Sequence, residues 1–322
     1  MQIMTPELLD IGAIRAAHAL IRDRILRTPV LTSATLDRRS GASLHFKCEN
    51  FQKTGAFKAR GATHAVFALT EAEAARGVAT HSSGNHAAAL ARAAGLRGIP
   101  AFVVMPRNAP RVKRESVERY GGRIILCEPT LEARDVAAAR IVLETGAAFI
   151  HPNNDLRVMA GQGTAVIELL EDQPDLDLIL CPVGGGGLLS GAAVAARSLR
   201  PGIRVVGVEP AGADDASRSF AAGQRLPSIH PKTIADGLLS GLGDLTFPII
   251  QARVDDIVTV SEEAIVAGMQ QIWEIMKIII EPSAAVPYAA LLEGRIKPVG
   301  KRVGIILSGG NVDLESLPWL AR

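Results

Sequence analysis

The stretch LILCPVGGGGLLSGAAVAARSL, residues 178–199, decides how this chain is read. It opens inside a largely apolar run, Leu176–Pro182, of the kind expected for a strand covered on both faces. Gly184, Gly185, Gly186 and Gly187 follow, and Leu188–Leu199 then has the small-residue composition of a closely packed helix. Four glycines expose successive backbone N–H groups without Cβ obstruction, and the helix behind them adds its positive end. The passage is therefore either a phosphate cup or a tight turn without a ligand. Its spacing matches neither G-x-x-x-x-G-K-S/T nor G-x-G-x-x-G. Glu209 nevertheless ends the next predicted strand, where a dinucleotide site places its ribose-binding carboxylate. An NAD-dependent dehydrogenase using the Gly184–Gly187 turn is thus an alternative reading.

Outward from this passage, short apolar runs alternate with helical patterns. Strands are expected at Val78–Thr80, Ala101–Met105, Arg123–Cys127, Leu176–Pro182, Val205–Glu209, Ile257–Val260 and Val303–Leu307. Helices are expected at Glu7–Arg22, His86–Ala94, Leu131–Glu144, Arg157–Leu170, Leu188–Leu199 and Glu262–Met276. Such alternation predicts an α/β fold with mostly parallel sheets flanked by helices. The chain has 322 residues, above the roughly 250–300 at which a single core stops growing, so two lobes around one cleft are expected. Three strand–helix units between Arg76 and Ile150 suggest a small domain, 76–150, inserted into a large domain made of 1–75 and 151–322.

Thirty-five basic residues against 33 acidic ones, without a long basic run, lack the charge signature of a nucleic-acid binder. No uncharged apolar run approaches the roughly 18 residues of a membrane span, and the N-terminus does not read as a secretion signal. The expectation is a cytoplasmic protein acting on a small molecule. Cys48, Cys127 and Cys181 are odd in number and lack C-x-x-C spacing, which predicts buried, reduced core residues.

A second motif lies upstream, Phe51-Gln52-Lys53-Thr54-Gly55-Ala56-Phe57-Lys58-Ala59-Arg60-Gly61-Ala62. A glycine turn flanked by Phe51 and Phe57 would hold Lys58 near an apolar pocket, where desolvation lowers an amine's pKa and makes it nucleophilic toward an aldehyde. Lys53 competes for that role but suits an exposed turn better. A third element, His81-Ser82-Ser83-Gly84-Asn85-His86, joins a short strand to a helix. Its serines and the helix's first amides suit a substrate carboxylate, and equally form an ordinary helix cap. Ser308-Gly309-Gly310-Asn311 comes late and, taken alone, is a strand-end turn.

These four ordered motifs resemble the fold-type-II pyridoxal-phosphate enzymes, which are tryptophan synthase β-like, and within them the serine/threonine dehydratase and serine racemase branch. The resemblance runs from about Thr28 to Val312. It implies that Lys58 carries pyridoxal 5'-phosphate as a Schiff base and acts as the catalytic base. It implies that Gly184 to Gly187 hold the phosphate, that Asn85 meets the ring hydroxyl, and that Ser308 faces the pyridine nitrogen. Phe57 and Leu188 are implied as further cofactor contacts, and Ser82, Ser83, Asn85 and His86 as substrate contacts. A neutral hydroxyl at Ser308 should not keep the ring nitrogen protonated, which favours β-elimination over transamination.

The implied reaction is loss of water and ammonia from a small hydroxy amino acid such as L-serine, L-threonine or 3-hydroxyaspartate. Ser83 stands where the racemase branch has a serine able to reprotonate Cα, so racemisation beside elimination, or even as the main activity, is a further expectation. Glu209, Ala213 and Asp215 resemble the divalent-cation site of racemase-like members, with oxygen ligands suited to Mg²⁺, Mn²⁺ or Ca²⁺. Ala88 departs from the glutamine of nucleotide-activated relatives, and with Arg322 so soon after Ser308 the expectation is that the C-terminal regulatory domain of biosynthetic threonine dehydratases is lacking. A homodimer is the implied assembly. Arg134, Arg157 and Lys113 are candidate partners for a second substrate carboxylate.

Overall fold

The computed structural model describes residues 9–82, 84–109 and 111–320. One sheet contains β1 (Val30–Leu31), β2 (Ser43–Cys48), β7 (Leu178–Pro182), β8 (Arg204–Pro210), β9 (Asp256–Val260) and β10 (Arg302–Leu307), in the order β1-β2-β10-β7-β8-β9. All its pairings are parallel except that of β1 with β2. The other sheet is wholly parallel and contains β3 (Val78–His81), β4 (Ala101–Pro106), β5 (Arg123–Cys127) and β6 (Ala148–Phe149), in the order β5-β4-β3-β6.

The helices are α1 (Ile11–Ile21), α2 (Ala34–Ser40), α3 (Lys58–Phe67), α4 (Glu71–Ala74), α5 (Asn85–Arg97), α6 (Arg111–Arg119) and α7 (Leu131–Thr145). They continue with α8 (Leu156–Asp172), α9 (Gly187–Leu199), α10 (Asp215–Ala222), α11 (Thr246–Arg253), α12 (Glu262–Gln271) and α13 (Pro282–Leu292). Strand periodicity divides the larger sheet between two cores. Along β7, Ile179 and Cys181 pack with residues of α1, α8, α9 and α11. Leu178 and Leu180 pack instead with residues of α2, α12 and α13. Side chains on both faces are thus removed from water, which explains why the run reads as apolar rather than alternating.

Each expected strand is present, and the helices differ mainly at their ends. Of the first, expected over Glu7–Arg22, residues 7 and 8 lie outside the described residues, and α1 runs from Ile11, where the Asp10 carboxylate accepts the Ala13 N–H at 2.7 Å and caps it. The run expected to reach Met276 as one helix leaves α geometry at Ile272 and closes in a π turn, ending at Lys277 with φ 60°. β2 and α13 are among several elements that have no counterpart in the expected set. The sequence of β2, SLHFKC, mixes charge with apolar letters, yet His45 and Lys47 are both buried.

Lys47 is tolerated there because it belongs to a closed charge network. Its Nζ donates to Glu168 Oε2 and to the Thr28 carbonyl, both at 2.7 Å. Arg60 on α3 grips Glu49 through Nε and Nη2 at 2.7 and 2.8 Å, and grips Glu168 through Nη1 and Nη2 at 2.8 and 2.7 Å. Burial alone would raise the Glu168 carboxyl, but His18, Arg60 and Lys47 together hold it well below its usual range. Two bases and two acids thereby fix α3, β2 and α8 against one another. All three cysteines are buried and free, and none of the described helices is long and apolar enough to cross a membrane.

Candidate active site

The motifs meet because parallel strands deliver their carboxyl ends to one side of a sheet. β2 ends before the turns Glu49–Phe51 and Lys53–Gly55, which lead into α3 at Lys58. β10 ends at Leu307, and the carbonyl of the next residue, Ser308, accepts the Phe57 N–H at 2.9 Å. Ala56 also forms a bridge with Gly309, and Gly310 N–H donates to the Gly55 carbonyl at 2.9 Å. The backbone before Lys58 is therefore sewn to the Ser308–Asn311 turn. Ser308 itself is buried, at 2% exposure.

Lys58 Nζ donates to the Pro152 carbonyl at 2.7 Å and lies 5.1 Å from the Phe57 ring centroid. Burial lowers its pKa to about 8, with the Glu281 carboxylate pulling it partly back up. Substantial free amine is therefore present just above neutral pH. Lys53, the competitor, lies in an exposed turn.

The glycine loop reaches Lys58 through the next residue of the same segment, Asn153. A Cβ on Gly185 would overlap the Asn153 amide, and one on Gly187 would lie 2.8 Å from the Asn153 carbonyl oxygen. Gly186 has φ 85° and would bring a Cβ within 2.8 Å of Ile250. Thr246 holds the loop from behind, donating its hydroxyl to the Gly185 carbonyl at 3.0 Å. The first N–H groups of α9 have no partner within the helix, and its first turn includes the buried Leu188. A glycine cradle that no side chain could share, opening onto a helix N-terminus, fits a phosphate group. The Asn153 Oδ1 beside it is buried without a hydrogen-bond partner.

Asn85 begins α5 and is held at both ends of its amide. Its Nδ2 donates to the two oxygens of Glu281 at 3.0 and 3.1 Å, and its Oδ1 accepts from Asn311 Nδ2 at 2.9 Å. Ser82 accepts the Gly84 N–H at 3.3 Å, while Ser83 lies outside the described residues. His86 is buried, and desolvation, followed by the nearby charges of Lys58 and His151, keeps it neutral well below its usual pKa. His151 accepts the Asn153 and Asn154 N–H groups at its Nδ1, at 3.3 and 2.9 Å, and burial then His81 and Lys58 lower its pKa to about 4.

Glu209, Ala213 and Asp215 form a separate buried group at the end of β8. Glu209 accepts the Ser217 and Ala216 N–H groups at 2.6 and 3.2 Å, and Asp215 accepts the Leu242 N–H at 3.1 Å. Burial, then Asp215, raise the Glu209 carboxyl to about 8, and burial raises Asp215 too. Arg218 pairs with Asp214 instead, at 2.8 Å. Two desolvated acids with an adjacent carbonyl suit a hard cation, although no cluster of three His, Cys, Asp or Glu side chains arises among the described residues. Glu209 is turned into its own loop, so it does not serve the glycine turn as a ribose ligand.

Sequence reasoning missed Pro152, Asn153 and Glu281. The first two carry no motif, and the only local signal for Glu281 is its place just before Pro282, at a helix start. Of the three second-carboxylate candidates, Arg157 is paired with Asp155 and Lys113 with Asp236. Arg134 donates weakly to the Thr130 carbonyl at 3.4 Å and acts electrostatically on His81.

This arrangement matches a known family. The chain belongs to the pyridoxal-phosphate dependent enzymes, whose profile matches residues 21–309. It is 53% identical over 304 residues to the β-hydroxyaspartate dehydratase of Paracoccus denitrificans, covering 94% of this chain and 96% of that one. It is 50% identical to the serine racemase of Arabidopsis thaliana, covering 96% and 95%. The solved structure of maize serine racemase superposes with a TM-score of 0.95 at 48% identity, covering 98% of this chain and 97% of that one. The fold is thus the fold-type-II α/β architecture, and the dinucleotide alternative is set aside.

Proposed function

We propose that this protein is a dehydratase that removes water from a hydroxy amino acid, with 3-hydroxyaspartate as its principal substrate. The observation that carries the elimination chemistry is the Lys58 amine, held at the Pro152 carbonyl with a pKa lowered to about 8. Pyridoxal phosphate, when bound, supplies an electrophilic aldehyde for the substrate amine and a ring that accepts negative charge from Cα. Lys58 Nζ takes the Cα proton. Gly184 to Gly187 and the first turn of α9 bind the phosphate, Asn85 orients the ring hydroxyl, and Phe57 walls the site. Ser308 offers the ring nitrogen a hydroxyl rather than a carboxylate, which favours departure of the β-hydroxyl. Loss of water leaves an enamine, which tautomerises to an imine, and hydrolysis of the imine yields ammonia and a 2-oxo acid.

The relative named for β-hydroxyaspartate and the weakly engaged Arg134 support a second carboxylate on the substrate. Side-by-side kinetics on serine, threonine and the 3-hydroxyaspartate stereoisomers test this. Arg134→Ala should lower kcat/KM for 3-hydroxyaspartate by about ten-fold or more while sparing serine. An equal loss on both substrates removes Arg134 from that role. Lys58→Ala should abolish ammonia release, and undiminished turnover ends the proposal.

Ser82 and His86 are the substrate contacts in this reading, and Ser83 is the residue that would reprotonate Cα. Ser83→Ala should suppress racemisation and leave elimination intact. Glu209, Ala213 and Asp215 hold Mg²⁺, Mn²⁺ or Ca²⁺ in a supporting role, and the protein assembles as a homodimer. Residues 76–150 act as a small domain against the cofactor-binding remainder.

A further inference from the structure

The buried carboxylate of Glu281 does two things that the reaction proposed above leaves unexplained. It accepts both hydrogen bonds of the Asn85 amide nitrogen, at 3.0 and 3.1 Å, and it also accepts the Asn311 N–H at 3.2 Å. Its own backbone N–H donates to the Gly309 carbonyl at 3.0 Å. Its side chain fills a slot that only glycine leaves open, since a Cβ on Gly309 would lie 2.6 Å from Glu281 Oε1. The other end of the Asn85 amide is tied to Asn311 Nδ2, which also donates to the Thr54 carbonyl at 2.7 Å. A single chain of hydrogen bonds therefore runs from Glu281 through Asn85 and Asn311 to the turn that presents Lys58.

From this geometry we infer that Glu281 is a positioning residue for the cofactor, fixing the Asn85 amide and keeping an ionisable carboxylate within electrostatic reach of Lys58. The inference rests on the cofactor reading and deepens it. A side-chain amide can rotate to exchange its donor and acceptor ends, and Asn85 in a neutral setting would present either to a ring oxygen. Because the carboxylate accepts hydrogen bonds and Asn311 Nδ2 donates one, only one orientation satisfies both neighbours. One oxygen of a protonated carboxyl becomes a donor, so the same contact changes character when Glu281 titrates.

The charged groups acting on Glu281 come from separate elements. They are Lys58 on α3, Lys113 on α6, and Asp236 in the turn after residue 235, while Asn85 on α5 and Asn311 contribute neutral donors. Burial raises the Glu281 carboxyl to about 7, with Asn85 opposing that rise. The orientation of Asn85 and the charge within electrostatic reach of Lys58 are thus coupled to pH in the neutral range.

The test titrates pyridoxal phosphate onto cofactor-depleted full-length protein and follows the absorbance of the reloaded protein from pH 5.5 to 9. Glu281→Ala and Asn85→Ala should each weaken cofactor binding by about ten-fold, and the double variant should be no weaker than the worse single one, because both changes break one chain. Glu281→Gln keeps an acceptor for Asn85. It should bind within about three-fold of wild type yet lose the spectral step near neutral pH. Multiplicative losses in the double variant, or a Glu281→Gln spectrum that titrates as wild type does, overturn the inference alone. Wild-type protein that takes up no cofactor overturns the cofactor reading and this inference together.

Discussion

Around Arg60, two acids and two bases are buried together, whereas Glu281 and the pair Glu209–Asp215 are buried with hydrogen bonds from amides. In the first group each carboxylate oxygen accepts from a positively charged side chain, and the Glu168 carboxyl is held low despite its burial. In the second the amide dipoles do not offset desolvation, and the carboxyls of Glu281 and Glu209 are pushed up to about 7 and 8. The same residue type at similar depth is thus locked as an anion in one place and left poised in the other. Neutral balance marks a region that only has to stay folded. Imbalance leaves a carboxyl open to a further positive group, as Glu281 is to the charge of Lys58.

The largest break in this comparison comes at Arg60. Arg60→Met strands Glu49 and Glu168 without their fork, and it should destabilise the protein by about 3–5 kcal/mol at neutral pH. Arg60→Lys keeps the charge but surrenders the bidentate geometry to both acids, so it should fall between wild type and Met. Urea unfolding monitored by circular dichroism measures both, and a loss below about 1 kcal/mol for Arg60→Met would show that the network is not what holds α3.

A smaller effect is expected at Glu209. If a divalent cation completes the acid pair, saturating Mg²⁺ or Ca²⁺ should stabilise the wild-type protein by about 2.7 kcal/mol at a concentration near 100 times its Kd. Glu209→Gln removes one ligand charge and should erase most of the metal-dependent shift in Tm. Equal shifts in both proteins would mean that the cation binds elsewhere.

The legibility of these regions from sequence differs for a physical reason. The glycine loop, the Lys58 turn, Asn85 and Ser308 each sit at a strand end, where function and turn chemistry act within a few residues. Their order along the chain is therefore enough to place the fold. Asn153 enters only because the segment between β6 and α8 passes beneath Gly185, and Glu281 only because α13 starts against Gly309. Those approaches are set by packing between distant elements. β2 was hidden by the opposite problem, since Lys47 reads as a surface letter until Glu168, 121 residues away, supplies its partner at 2.7 Å.

The finest test reverses the sign of the Arg60 result. A carboxyl whose pKa rises from an ordinary 4.5 to about 7 on folding stabilises the folded protein fully below pH 4.5 and loses that contribution as pH climbs through 7. Glu281→Gln has nothing to titrate. In cofactor-free protein it should therefore gain stability relative to wild type between pH 5 and 7.5, by on the order of 2 kcal/mol. Lys58 titrates in both proteins, and the Glu281 charge that raises its pKa is missing from the variant. Parallel urea unfolding at the two pH values reads the change, and a difference that does not vary with pH would place Glu281 with the balanced charges rather than the poised ones.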